Sequence, residues 1–362
     1  MNTDDTTRPL RNHQFDLLRI IFSTLVILCH APEITDGNNS RELFMRLSHT
    51  GVTFGILAVD GFFLLSGFLI VKSWHSDANV ARFLKKRFLR IAPGYAAAVI
   101  LSTIVVGIFA PGVDHFFKHL RGEALSGVLF LFYFPDSVSV FPGTAYPMMN
   151  ASLWTILYEF RCYLLVAVFG VLGLFTRRWT WLAATCVLVA ASAVYSINQP
   201  IQWSHGYLYS LVGSPSSIIR LTPIFFVGGC FFLYRHRIKF TALLGCSAFV
   251  AIVLVAILCP GFMEPALVAC GGYLLFYFTH RPLESLSWMR QVPDVSYGVY
   301  LYGWPVESLL AFCFHTSVWV TAVEATLICF GLGWASWKIV EAPALRLVSS
   351  KPQVRSPQFL LS

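Results

Sequence analysis

Apolar residues in this chain come in long runs and not in alternation, as in Leu243–Leu258 and the mostly apolar stretch 318–340. A helix needs roughly 20 mostly apolar residues to cross a bilayer. By that rule the chain predicts ten membrane-spanning helices, at 13–32, 51–72, 91–110, 152–175, 180–197, 218–234, 240–259, 262–280, 295–314 and 317–340. A further apolar stretch, 124–135, is too short to cross and reads as a re-entrant or interfacial piece. The strands of a membrane barrel would alternate apolar and polar with period two, which the runs exclude. The expected fold is therefore all-α: a polytopic bundle of about ten transmembrane helices. It forms a single domain over 1–362, with its core at 13–345 and short tails. No stretch between the spans is long enough for a separate soluble domain, and no internal repeat is visible.

Composition agrees. Hydrophobic residues make up 56% of the chain, charged residues 12%, and mean hydropathy is +0.67. A soluble domain carries about 25% charged residues, so this chain lacks the polar surface that a soluble fold of its size needs. Charge then orients the spans. With the N-terminus inside, the outside segments hold four basic residues, Arg41, Arg46, Lys118 and Arg121. Arg19, Arg161 and Arg220 fall deeper within spans, which leaves 19 of the 26 Lys and Arg in the inside segments and the span ends that adjoin them. This is the bias of the positive-inside rule, and it puts both termini in the cytoplasm. Treating 124–135 as an eleventh span would carry Arg177, Arg178, Arg235 and Arg237 outside. The net charge of +8 follows from topology and calls for no nucleic-acid partner. The nine cysteines are scattered, with no CxxC pair and no Cys/His spacing for zinc, so they read as packing residues and no metal site is expected. The polar segment before the first run, and the lack of a small-residue cleavage site after it, point to a retained first span and not a cleaved signal.

Ionisable groups inside spans are costly, and each is a candidate for function. Arg19 and His30 lie eleven residues apart in the first span, about 16 Å and three turns along one helix face. Arg19 also suits a snorkelling role at the interface, and His30 a helix cap. The second span carries Asp60 in mid-span with Gly61, Ser66 and Gly67 beside it, residues that permit close helix approach and interhelical hydrogen bonds. Arg87 and Arg90 precede the third span and share a helix face, a fork suited either to phosphate oxygens or to lipid head groups. The fourth span opens with Ser152, Leu153 and Trp154 and carries Glu159 roughly 10 Å in from its outer end. At that depth Glu159 matches His30, whose tautomer a carboxylate would fix and whose protonated form it would favour. It also suits a structural pair with Arg161 or Arg19. Glu307 and Glu324 fall in later spans and suggest no role.

Taken in order, Arg19-x10-His30, Asp60-Gly61-Phe62-Phe63-x-x-Ser66-Gly67-Phe68, Arg87-x-x-Arg90 and Ser152-Leu153-Trp154-x4-Glu159 resemble the motifs of the acyltransferase-3 family of bacterial integral-membrane acyltransferases. Ser296-Tyr297-Gly298 through Trp304-Pro305 and Val340-Glu341-Ala342-Pro343 are similar to the family as well. The resemblance implies an enzyme of the inner membrane that moves an acyl group, acetyl in the best-known members, from cytoplasmic acyl-CoA to a hydroxyl of an extracytoplasmic or lipid-linked glycan. It implies that Arg19, Arg87 and Arg90 bind the donor and that His30 and Glu159 are catalytic. Asp60, Ser66 and Trp154 would support them. Acyl-CoA is then a co-substrate, and no permanent cofactor is implied. Many relatives carry a histidine where this chain has Gly303, so no catalysis is assigned there. Two other functions use the same intramembrane charges: a transporter or flippase for a glycan or acyl precursor, and a non-catalytic sensor or scaffold.

Overall fold

The computed structural model describes residues 13–109, 141, 143–198, 213–281 and 284–349. These residues form helices and loops with no strand among them. Among the described residues, besides a six-residue helix Leu43–Ser48, ten longer helices carry the fold: α1 (His13–Asp36), α2 (Phe54–Ser76), α3 (Val80–Phe109), α4 (Trp154–Val171), α5 (Arg178–Asn198), α6 (Pro215–Leu233), α7 (Ala242–Leu258), α8, α9 (Ser296–Phe314) and α10. Helix α8 runs as Met263–Ala266, a π-turn Leu267–Gly271 and Gly272–Thr279. Helix α10 runs as Val318–Ser336, a π-turn Trp337–Glu341 and Ala342–Ser349.

Each predicted span falls on one of these helices. Eight are long and apolar enough to cross a membrane. Helix α7 is apolar but only 17 residues long, and α9 does not join the eight. The chain is thus a membrane-spanning helical bundle in which eight crossings are supported by length and composition. The apolar stretch 124–135 lies outside the described residues. One boundary moves in a way that matters: the basic stretch before the third span is not a separate segment. Val80–Phe109 is one 30-residue helix of about 45 Å, so Arg87 and Arg90 stand on the spanning helix itself.

The centre of the bundle is α1, α2 and α9, flanked by α3, α4 and α6. Close approach depends on missing side chains. A Cβ on Gly67 would lie 1.9 Å from the Phe225 carbonyl oxygen, and one on Gly228 would lie 2.1 Å from that of Leu64, so α2 and α6 meet backbone to backbone. Gly298 and Gly333 serve α9 and α10 in the same way. Helix α5 docks on α6 through Trp181, whose ring stacks on Phe226 at 4.0 Å and whose Nε1 donates to the Phe226 carbonyl at 2.9 Å. Large exposed side chains such as Val187, Leu243, Ile257, Leu327 and Ile339 cover the outer faces of α5, α7 and α10, as a lipid-facing perimeter requires.

Side-chain pairs fix the relative directions of the helices. Phe15 meets Phe68 and Phe22 meets Phe62, so α1 and α2 are antiparallel. Arg19 reaches Asp294 while His30 reaches Glu307, so α1 and α9 run parallel. Helices α2 and α4 are parallel, with Ser66 beside Glu159 and Trp74 beside Gly170. So are α2 and α6, with Asp60 beside Arg220 and Phe68 beside Phe232. These relations gather the start of α1, the end of α2 and the starts of α3 and α9 on one face. That face carries Lys72, Arg82, Lys86 and Arg281 and is called the basic face below. There Asp77, in the link between α2 and α3, accepts hydrogen bonds from Arg82 at 2.9 Å and Lys86 at 3.4 Å. Partial desolvation pushes the Asp77 carboxyl the other way, but these two cations hold it below the usual carboxylate range.

Candidate active site

Two cavities lie one behind the other along the bundle. The first opens near the basic face. Arg19, Arg87, Arg90, Ser66, Glu159 and Tyr163 stand in its wall. The second lies toward the opposite face and is walled by His30, Glu33, Trp154, Arg220 and Trp304 among others. Val59 and Tyr300 belong to both walls. Tyr300 is held in this partition by its hydroxyl, which donates to the Ser152 carbonyl at 2.7 Å and lies 2.5 Å from Thr155 Oγ1.

The three arginines of the basic cavity are not equivalent. Asp294, just ahead of α9, draws in two of them: Arg19 Nη1 lies 3.3 Å from its Oδ2, and Arg90 Nη2 bonds the same oxygen. Ser296 Oγ donates to Asp294 Oδ1 at 2.6 Å. Arg90 also lies 3.8 Å from Glu341, which the π-turn in α10 presents to it. The Glu341-Ala342-Pro343 motif thus belongs to this cluster. Arg87 differs. Its Nη2 donates to Ser73 Oγ at 3.2 Å, its Nε is buried with no hydrogen bond, and it has no carboxylate partner among the described residues. Of the three arginines in this wall, it alone has no ion pair with a carboxylate among the described residues.

Glu159 faces this basic cavity. Its Oε1 accepts from Ser66 Oγ at 2.7 Å and from Tyr163 OH, one turn along α4, at 2.6 Å. The expected pairing of Glu159 with His30 is therefore corrected. The carboxylate beside His30 is Glu307 of α9, with Oε2 3.6 Å from Nδ1. The physical reason is adjacency. Helix α1 packs on α2, α9 and α10, whereas α4 packs on α2, α3 and α6, and equal depth does not make two helices neighbours. Glu324, the other late-span carboxylate, is exposed.

The remaining candidates separate as follows. Trp154 stands at the start of α4 in the His30 cavity, exposed and edge-on to Tyr158 at 5.7 Å. Asp60 lies off both cavities. Its Oδ1 accepts from Arg220 Nη2 at 2.6 Å, Arg220 Nε in turn bonds Glu264, and Asp60 lines an apolar groove between α1, α2, α7 and α8. Gly303 lies against Ile27 of α1. The sequence alone assigned no role to Asp294, Tyr163, Tyr300 or Glu307. Of these only Glu307 announced itself, as a charge inside an apolar span.

The family model described as an acyltransferase domain, acyltransferase-3, matches residues 12–338. The chain belongs to this family. Nodulation protein 10 of Rhizobium leguminosarum bv. viciae is 27% identical to it, over 93% of this chain and 94% of that protein. The O-acetyl transferase of Shigella phage Sf6 is 25% identical, over 94% of this chain and 98% of that protein. The peptidoglycan O-acetyltransferase OatA of Listeria monocytogenes serovar 1/2a is 23% identical over 80% of this chain, and the match spans 51% of OatA. No solved structure matches the chain. The molecule is accordingly a membrane-embedded acyltransferase, and the two back-to-back cavities are its candidate active site.

Proposed function

We propose that this acyltransferase moves an acyl group, acetyl by the names of its relatives, from acyl-CoA bound at the basic face to a hydroxyl of a glycan that enters the opposite cavity. The acceptor is an extracytoplasmic or lipid-linked glycan. The basic face is cytoplasmic, both termini lie on that side, and the membrane is the bacterial inner membrane. One observation carries the reading: a cationic cavity and a histidine-bearing cavity meet at a shared partition of Val59 and Tyr300. CoA is polyanionic, abundant in the cytoplasm and unable to cross the bilayer. A protein that acylates a hydroxyl beyond the membrane must therefore bring the two substrates together inside itself.

In this reading Arg87 takes a CoA phosphate, and Arg19 and Arg90, locked by Asp294, supply fixed positive potential around it. Glu159 keeps its place in the site as the carboxylate of the donor cavity, held by Ser66 and Tyr163. The slim pantetheine arm carries the thioester toward the partition. His30 accepts the proton of the glycan hydroxyl as its oxygen attacks the thioester carbonyl. The C–S bond breaks, and the CoA thiolate takes the proton from His30 and leaves as the free thiol. Atoms and charge balance with no other reagent.

The test is reconstitution of the full chain in liposomes with isotope-labelled acyl-CoA, with and without a panel of bacterial glycans. The expected result is a labelled glycan whose mass identifies the acyl group, together with stoichiometric free CoA. Movement of a glycan or acyl precursor across the membrane with the thioester left intact would replace this reading with a transporter.

A further inference from the structure

We infer that Glu307 is the positioning residue of His30: a buried carboxylate that fixes the imidazole tautomer and balances the charge the ring acquires during transfer. The inference rests on the role proposed above for His30. Glu307 is fully buried within α9. Neither of its oxygens has a hydrogen-bond partner among the described residues, and His30 Nδ1 is likewise buried and unbonded. These atoms face each other, with Nδ1 and Oε2 at 3.6 Å. A buried carboxylate without partners is costly in any protein, and more so within a membrane. Such a group persists where something compensates it, and the imidazole is the polar group aimed at it.

The surrounding packing holds the pair in register. Trp304 lies one turn before Glu307 on the same face of α9 and sets its ring edge-on to His30, centroids 4.9 Å apart. Its own Nε1 is tied to the Met148 carbonyl at 3.1 Å, so the tryptophan cannot swing away. Parallel α1 and α9 keep the two side chains at one depth. Other titratable groups near the pair are Glu33 one turn along α1, Cys329 on α10 and Arg220 on α6, which lines the same cavity.

A closure of about half an ångström converts 3.6 Å into an N–H···O bond. Nδ1 then carries the hydrogen, and Nε2, on the other side of the ring, presents its lone pair to the cavity. When Nε2 accepts the hydroxyl proton, the imidazolium forms beside a carboxylate, and the pair is neutral overall. Without Glu307 the same step would leave an isolated cation in a low-dielectric interior.

Two measurements decide the matter. The first is nitrogen NMR of the full chain in nanodiscs, labelled at histidine, with the His30 signal assigned by its loss in His30→Ala. The expected spectrum has a hydrogen-bonded, protonated Nδ1. A neutral ring protonated at Nε2 overturns the inference, even where a Glu307 variant fails to fold. The second is turnover of acetyl-CoA with an oligosaccharide panel by Glu307→Gln, which keeps shape and removes charge. The inference predicts a kcat about 10- to 150-fold lower, the range for loss of a charge-assisted hydrogen bond, with KM for acetyl-CoA unchanged. Wild-type kcat in Glu307→Gln, beside an inactive His30→Ala, would remove Glu307 and leave His30 as the base. Full activity in His30→Ala would instead overturn the reading on which the inference rests.

Discussion

Arg87 and Arg90 stand three residues apart on one helix face, yet replacing each with alanine should produce opposite defects. Arg90 is committed to protein carboxylates, bonding Asp294 and lying 3.8 Å from Glu341, and both acids are nearly fully buried. Removing one partner of a buried charge pair costs about 3–5 kcal/mol, because the abandoned charge remains. Arg19 stays 3.3 Å from Asp294 and relieves part of that cost, so the expectation for Arg90→Ala sits near 3 kcal/mol. Against a typical total stability of about 5–15 kcal/mol, such a loss is visible as a lowered unfolding temperature and poor yield. Arg87 has one bond to the protein, to Ser73 at 3.2 Å. Arg87→Ala should fold normally and lose its charge-assisted contact with the donor phosphate. At about 1.5–3 kcal/mol and tenfold per 1.4 kcal/mol, the donor KM rises about 10- to 150-fold. The assay pairs thermal unfolding in detergent with acetyl-CoA titration in nanodiscs. If Arg87→Ala lowers the unfolding temperature as far as Arg90→Ala while leaving the donor KM untouched, the division of labour drawn here is wrong.

Three further outcomes are expected. Gly67→Ala should overpack α2 against the Phe225 carbonyl and cost at least the about 1–3 kcal/mol typical of overpacking, whereas Gly331→Ala, which meets nothing within 4 Å, should be neutral or slightly stabilising on the same unfolding measurement. Tyr163→Phe removes one of the two hydrogen bonds to Glu159 and should raise the donor KM a few-fold without changing acceptor KM; an effect confined to the acceptor would remove Glu159 from the donor cavity. In a cysteine-free background, a cysteine at position 180 should resist a membrane-impermeant thiol reagent added outside, and one at 205 should react, the reverse pattern being fatal to the cytoplasmic assignment of the basic face.

Much of the architecture was legible in the sequence because a bilayer imposes a coarse rule. Run length located the spans, and each fell on a helix. The same rule loses force at α7 and α9, one short and the other rich in aromatic and polar residues, and there the count of crossings is not carried by hydropathy. The motifs gave the identities of Arg19, His30, Arg87, Arg90 and Glu159, and depth along each helix assigned them to one end or the other. What a one-dimensional reading lacks is rotation and adjacency. Depth alone paired Glu159 with His30 and left Glu307 without a role. The choice depends on α9, not α4, being the neighbour of α1, a fact written in glycine contacts and packing across hundreds of residues. Asp294 was invisible for a related reason. An acid just outside a span attracts no attention until two arginines from other helices are seen to converge on it.

The most direct test of the central claim is turnover by His30→Ala protein shown to be folded and still able to bind acetyl-CoA. A positioned acid or base contributes about 10²–10⁴-fold in rate. The account predicts that transfer of the acyl group to the glycan falls by that order while acetyl-CoA affinity is unchanged. Wild-type turnover in this variant would contradict it.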